Sequence, residues 1–546
     1  IANVKHMYAQ QYKAFNESPS TKMNVLVDAF TYGKPVDDIF TANEKIQSLT
    51  KEEIARVAKK YFNADHMTIS FDEDTKNMKP KTLPKPNIKP LDPVKNAKTE
   101  YAEAFQKLPK GELKQTFNDF NDVKISSLGE NVTLHYTPNN KNDIFTLTLR
   151  YGVGEHEMPL LPYAAMLMEN AGIMGNPALE GKDFDQQIAQ LGAAGEDENM
   201  NKIMNLVNRQ LLMPYLEQKQ LDNLKGGEFF SRLSRQKRTA VQKSALMQYA
   251  LYGKKSAYLD EVKFIDIWNM DGVQVQRLIA SARTYALDVF YCGTLPEDKL
   301  VPELPLTEGM QPSKSPFVQD RVTYDKPTVL FLPNSNVQQA DLYFYINGRP
   351  YDIASDVQSD AFNQYMSGGF TGIVLNEIRV KRSMAYSAYG VNATPELPGK
   401  DCYFIGYVGT QSDKVNDAIS VYMDILSDMP KDSTQLVALK AALKQAAQTA
   451  KPSMRGKAAT FEAWQRLGYK DDPAKVNAAA IDALTFNDIE KFYEDNIKGK
   501  PVTIILMGDP KKIDVKAIEK ELGCKVTKLS PAKLFNSTQE LMDAVM

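Results

Sequence analysis

Apolar positions along this chain repeat one order three times: a helix, a Tyr-Gly-Lys-like turn, a second helix and a short apolar strand. The first copy covers about residues 2–71, with TYGKP at 31–35 and MTISF at 67–71. The second has LYGKK at 251–255 and LDVFYCG at 287–293; the third has LGYKD at 467–471 and VTIILMGD at 502–509. Gly33 to Gly253 and Met67 to Leu287 are both 220 residues, and Gly253 to Gly468 and Leu287 to Val502 are both 215. Repeats of this kind fix the architecture. The matching domain beginning occurs only twice. The pattern therefore predicts a chain that opens inside the tail of one domain (1–75) and then carries two further domains of the same kind (121–320 and 321–546).

The elements between the landmarks follow from the same patterning. A helix is predicted over 22–30, and Thr50 with Glu53 forms a capping box for a helix running to Tyr61. Residues 76–120 read as an extended linker, because KPKTLPKPNIKPLDP is rich in Pro and Lys and has no apolar face. In the second domain, NVTLHYTP (131–138) and DIFTLTLRYGVG (143–154) alternate with period two and predict a hairpin. Helices are expected over 162–171 and 182–191, then a long helical stretch over 203–251. The third domain repeats the plan. PTVLFLP (327–333) and ADLYFYING (340–348) predict the hairpin, and a helix over 354–366 stops at Gly368-Gly369. Another helix covers 372–381, strands cover 385–391 and 403–409, and helices cover 413–429 and 433–449. The fold class predicted is α+β, repeated domains each with an antiparallel-rich mixed sheet covered by helices on one face. About 20 strand-like residues follow the short helix of the third domain, whereas LGAAGEDENMNK (191–202) leaves barely ten in the second. A lost strand pair or an omitted stretch both explain this.

Composition narrows the function classes. The chain has 546 residues, 43% hydrophobic and 25% charged, an ordinary globular make-up. Lys+Arg 66 against Asp+Glu 68 leaves a net charge of −2. No basic field attracts nucleic acid, and no run of about 18 apolar residues predicts a membrane-spanning helix. Cys292, Cys402 and Cys524 are too scattered for a disulfide framework or a C-x-x-C metal site. The compartment stays open between a bacterial periplasm and a cytoplasm.

The segment SGGFTGIVLNEIRVKRSMAYSAYG (367–390) resembles the C-terminal half of the insulinase/pitrilysin family of zinc metallopeptidases. LPYAAMLMENAG (161–172) is similar to that family's first long helix, and the three turn-helix-strand endings look like its domain ends. The resemblance implies a non-catalytic half preceded by the tail of a catalytic half, closing over a peptide. It implies zinc in the parent enzyme, held by an inverted H-x-x-E-H motif, where two His on one helix face share a metal and the Glu serves as base. This chain has His6, His66, His135 and His156, and no two lie within one helical turn. At the matching helix, 166–170, Glu169 is kept and both His positions are lost. The expectation is no cofactor in this chain and no peptidase activity from it alone. Its partners are then peptide substrates and a zinc-bearing N-terminal half or separate subunit.

The resemblance also implies that an Arg and a Tyr seven residues apart reach toward the other half's site. Arg379 and Tyr386 match: Arg379 for substrate binding, Tyr386 for substrate binding and transition-state stabilisation. Arg382 and Tyr389 have the same spacing, but Leu375-Asn-Glu-Ile-Arg379 fits the family helix better. The competing interpretation makes Arg379 a solvated helix charge and Tyr386 a sheet-packing aromatic. Gly368-Gly369-Phe-Thr-Gly372 reads as a helix stop and turn rather than a phosphate cradle, since it lacks the G-K-[ST] ending. His156 between Glu155 and Glu157 has no partner for a metal. Arg232, Arg235, Lys237 and Arg238 read as a solvated helix face or a chamber wall, and Met166, Met168 and Met174 as core filling. The alternative function is a catalytically inactive scaffold or binding subunit of the same fold.

Overall fold

A computed structural model describes residues 1–15, 17–62, 67–70, 99–109, 114–169, 171–173 and 196–546. The chain divides into two units, Ile1–Ala9 with Met23–Gln115 and Gln10–Lys22 with Thr116–Met546. The predicted helix over 182–191 and most of the Pro/Lys-rich stretch lie outside the described residues.

In the first unit, Thr50 caps the helix Lys51–Tyr61. Its hydroxyl accepts from Glu53 N at 3.1 Å, and its own N–H donates to the Glu53 carboxylate at 2.7 Å. The segment 67–70 is not a strand, and Met67 and Ile69 are 80% and 76% exposed. The expected MTISF strand is corrected here. An isolated strand leaves its ladder groups unpaired, and the described residues of this unit supply no strand beside it.

The second unit holds the sheets. Strands β1 (Lys124–Gly129), β2 (Val132–Pro138) and β3 (Thr146–Tyr151) come first. A two-residue ribbon follows, β4 (Gly172–Ile173) with β5 (Pro214–Tyr215), and then β6 (Leu287–Gly293). The next strands are β7 (Thr328–Pro333), β8 (Gln339–Pro350), β9 (Ala385–Ala393), β10 (Asp401–Gln411), β11 (Thr503–Gly508) and β12 (Val526–Lys528). One sheet has the order β1-β2-β6-β3 and the other β12-β7-β11-β8-β10-β9.

The two predicted hairpins are split. β6 enters between β2 and β3, and β11 enters between β7 and β8, each parallel to its first neighbour and antiparallel to its second. β2 instead forms its hairpin with β1. Two equivalent asparagines hold the inserted strands. Asn139 N–H donates to Gly293 O at 2.8 Å, and Asn334 N–H donates to Gly508 O at 2.9 Å. Period-two alternation reports a strand's faces but not its neighbour, so a distant strand displaced the local one.

The inserted strand pairs Val132 with Leu287 in one sheet and Thr328 with Thr503 in the other. These partners are 155 and 175 residues apart, a difference of 20. The longer interval holds β9 and β10, which extend the second sheet beyond β8. Among the described residues, the first sheet ends at β3. The stretch that would show how residues 174–195 pass lies outside them.

The repeated turn has a shared backbone cause. Gly33, Gly253 and Gly468 all have positive φ, at 61°, 58° and 104°. Gly253 closes the helix Thr239–Tyr252 at ψ −127°, a conformation nearly closed to other residues. Gly253→Ala is expected to destabilise the chain by about 1–3 kcal/mol. A urea melt with an unshifted midpoint would refute the role given to this turn.

Helices Asp356–Ser367, Val415–Ser427 and Phe486–Asn496 cover one face of the larger sheet, meeting Phe331, Leu342, Phe344 and Ile504. The opposite face is covered too. Leu246 and Ala250 of the helix Thr239–Tyr252, with Leu534 and Phe535, pack on Leu330, Leu332, Tyr345, Ile505 and Met507. The one-face expectation is therefore extended: every residue of β11 is buried, as its unbroken apolar run requires. Such burial contributes roughly 1.5–3 kcal/mol per large side chain. The helical stretch over 203–251 is three helices, Met200–Leu212, Gln218–Arg235 and Thr239–Tyr252. Among the described residues no helix is long and apolar enough to cross a membrane.

Two side-chain expectations change. Arg232 and Arg235 are buried, not solvated. Arg235 Nη1 donates to Glu261 Oε2 at 2.7 Å, and Arg232 Nε donates to Glu228 at 2.6 Å. Burial alone lowers the Arg232 pKa, but Glu228 and Glu261 outweigh it and hold it above the usual guanidinium value. Met166 is 56% exposed and fills no core, while Met168 packs in one and Met174 lies outside the described residues.

Candidate functional site

The Gly-rich segment stops one helix and starts the next. Asp356–Ser367 ends at Gly368, a 3-10 turn spans Gly369–Thr371, and helix resumes at Ile373. A Cβ on Gly372 would lie 2.8 Å from Gly368 N and Ser367 Cα, so the tight return needs glycine there. The new helix widens in its last turn. Residues Asn376–Val380 are π-helical, with Lys381 N–H donating to Asn376 O at 2.9 Å. Ile378 anchors this turn in the core at 0% exposure, which leaves Arg379 beside it half-buried. Left-handed Ser383, at φ 51°, then turns the chain into β9.

The structure brings Arg379 and Tyr386 together. The guanidinium carbon lies 4.6 Å from the Tyr386 ring centre, and Nη1 donates to Tyr386 O at 3.1 Å. Phe370, on the Gly-rich turn, lies on the same guanidinium at 5.3 Å. A cation held over aromatic faces is favoured by about 0.5–1 kcal/mol at exposed sites. Tyr386 is 79% exposed, so its phenol packs in no core.

Tyr386 also falls at a break in register on the outer strand. Ser387 pairs with Gly409 but Ala385 pairs with Thr410, so Tyr386 is the extra residue of a β-bulge. Bulges re-aim side chains, and π-turns and bulges are both over-represented at functional sites. Beneath it, the Tyr422 hydroxyl donates to Tyr389 O at 2.8 Å and supports the strand from the core.

Arg382 and Tyr389 are not brought together in this way. Arg382 Nη1 is taken by Glu377, through its carbonyl at 2.8 Å and its carboxylate at 2.7 Å. Burial works against the charge on Glu377, yet Lys381 and Arg382 hold its carboxyl below the usual range. Tyr389 packs on Tyr407 at 5.4 Å. Sequence reasoning missed Phe370; its signal was an aromatic flanked by turn residues, too common to stand out.

Among the described residues no group of three or more His, Cys, Asp or Glu could hold a metal. His135 stacks on Phe290 at 4.4 Å with Asp288 beside it, and His156 stacks on Phe317 at 3.8 Å. Glu169 caps the C-terminal end of the helix Leu161–Met168, and His66 lies outside the described residues.

Comparison with known proteins bears on this region. Residues 286–443 match the family model described as the peptidase M16 inactive domain, an interval that includes Arg379 and Tyr386. A search of curated proteins found no match. Among solved structures, the chain is similar to a peptidase M16 inactive domain from Pseudomonas fluorescens at 14% identity and a TM-score of 0.54. That match covers 72% of this chain and 99% of the other. It is also similar to the periplasmic protease PqqL from Escherichia coli, at 12% identity and TM-score 0.55, over 90% of this chain and 56% of that one. A variant of the ferredoxin protease FusC, in complex with Arabidopsis ferredoxin, matches at 10% identity and TM-score 0.58, over 93% and 60%. The chain thus spans little more than half of those two proteases. At such identities the likeness shows the fold.

Proposed function

The chain carries the inactive domain of the M16 peptidases, the insulinase/pitrilysin family, and from that premise we propose that it is the substrate-binding half of a peptidase whose zinc is held by other residues. In this reading it walls a peptide chamber and contributes two groups. The Tyr386 phenol donates one hydrogen bond to the oxyanion that develops at the scissile carbonyl. The Arg379 guanidinium binds a peptide carbonyl or carboxylate with its remaining donors. The observation that supports this most is the pairing itself: Arg379 over an exposed Tyr386, one on a π-turn and the other on a bulge.

Arg379 is proposed to act on binding. Arg379→Ala in the assembled enzyme is expected to raise KM for a quenched peptide about tenfold or more, the worth of a hydrogen bond to a charged group, with a smaller change in kcat. Arg379→Lys should not restore it, because an ammonium lacks the planar fork. Unchanged steady-state kinetics in both variants would remove Arg379 from the site. The alternative is an inactive scaffold or binding subunit. It predicts no kinetic effect from either residue.

A further inference from the structure

A cavity of about 520 Å³ opens in the second unit between the helices Asp356–Ser367, Leu436–Thr449 and Pro473–Ala483. It is of a size that holds small ligands. Val357, Leu443, Ala446, Ala447, Trp464 and Ile481 form its apolar part, and polar and charged side chains line the rest. The small alanines leave the space, because they keep the helices from filling the gap between them.

The charged groups at this cavity are unequal. Asp472 is spent: it accepts from Asn118 N and Nδ2 at 2.6 and 2.8 Å, and from Ala474 N at 2.8 Å. The Lys451 ammonium is spent on the carbonyl and hydroxyl of Thr116. Asn363 is closed by two bonds to Asn392 at 2.9 and 2.7 Å. Asp360, at the solvent-facing mouth, makes no hydrogen bond or ion pair among the described residues. The surrounding protein pushes its carboxyl up to about 6, and the nearby Asp356 adds to the shift. A carboxylate held without a partner beside an apolar wall is stabilised by an incoming cation.

We infer that this cavity binds an aliphatic ammonium group: Asp360 takes the –NH3+, and the alanine wall with Trp464 takes the carbon stem. Long ammonium side chains divide in the same way, stem on apolar surface and head at polar groups. The ligand is either a free alkylamine or a lysine side chain of a bound peptide. The site is separate from Arg379 and Tyr386 and stands whether or not they act in catalysis.

The test is calorimetric titration of the full chain with pentylammonium and with 1-pentanol, its neutral counterpart. Saturable binding of one pentylammonium is expected, at least about tenfold tighter than pentanol. Asp360→Asn should remove that preference and leave pentanol binding unchanged. Asp360 has no partner to lose, so the variant should melt with the unaltered protein. On the unaltered protein, binding should weaken about tenfold as pH falls from 7.5 to 5, because the carboxylate takes up a proton below about 6. Asp356 and Asp472 are the other acids facing it, and Lys451 the base. Competition by a blocked lysine pentapeptide assigns the site to peptide side chains; no competition assigns it to free amines; either upholds it. Equal affinity for amine and alcohol, or an Asp360→Asn variant that binds pentylammonium as before, overturns it.

Discussion

Tyr386→Phe is expected to lower kcat of the proposed zinc-bearing assembly by about 10²–10³-fold, the usual loss for one oxyanion donor. The substitution removes a single hydroxyl. The ring remains against Arg379, and the bond from Arg379 to the backbone carbonyl of Tyr386 remains as well. Tyr386 is 79% exposed, so stability should change by less than about 0.5 kcal/mol. A large kinetic loss on an unchanged fold therefore isolates chemistry from packing. Stopped-flow or steady-state cleavage of a quenched peptide reads it. A scaffold would show the same kinetics with Phe as with Tyr.

The second large effect concerns stability. Glu261→Ala is expected to destabilise the chain by about 3–5 kcal/mol, because it leaves the buried Arg235 guanidinium without its carboxylate, while Arg232 keeps Glu228. The Glu261 carboxylate receives Arg235 through both terminal nitrogens and Asn536 at 3.1 Å, with Arg232 at 3.6 Å. This cluster joins the helix Gln218–Arg235 to the segment before the last helix, Thr538–Val545. Lys475 and Asp471 form an exposed pair on the same chain. Asp471→Ala should shift a urea midpoint little, since exposed pairs are worth about 0–1 kcal/mol. Equal effects of the two substitutions would contradict the buried-network description.

Several features were legible in the sequence because their cause is local. The Tyr-Gly turns need a residue that tolerates positive φ, and Gly33, Gly253 and Gly468 all adopt it. The Thr50–Glu53 box closes within one turn. The Gly-rich stop before Ile373 follows from close backbone approach at Gly372. Features set by distant partners were not legible. β2 alternates as a hairpin strand does, yet its inner neighbour is β6, whose partner residues lie 155 positions away. Helix periodicity placed Arg232 and Arg235 on one face but could not show Glu261 meeting that face.

At the candidate site, spacing and resemblance pointed to Arg379 and Tyr386. The bulge that sets Tyr386 apart depends on the register of β9 against β10, which no local pattern encodes. The widened turn under Arg379 has the same character: Asn376–Val380 reads as ordinary helix until Lys381 bonds back five residues. Phe370 contributes to the arrangement only because the two helices fold it back onto the guanidinium.

The account rests on this chain supplying donors, and no metal, to peptide cleavage. The direct measurement is the rate of quenched-peptide hydrolysis as this chain is titrated into the proposed zinc-bearing counterpart. The predicted result is no hydrolysis by the chain alone and a rate that rises to saturation at one equivalent. Chelator-sensitive hydrolysis by the purified chain alone would contradict it.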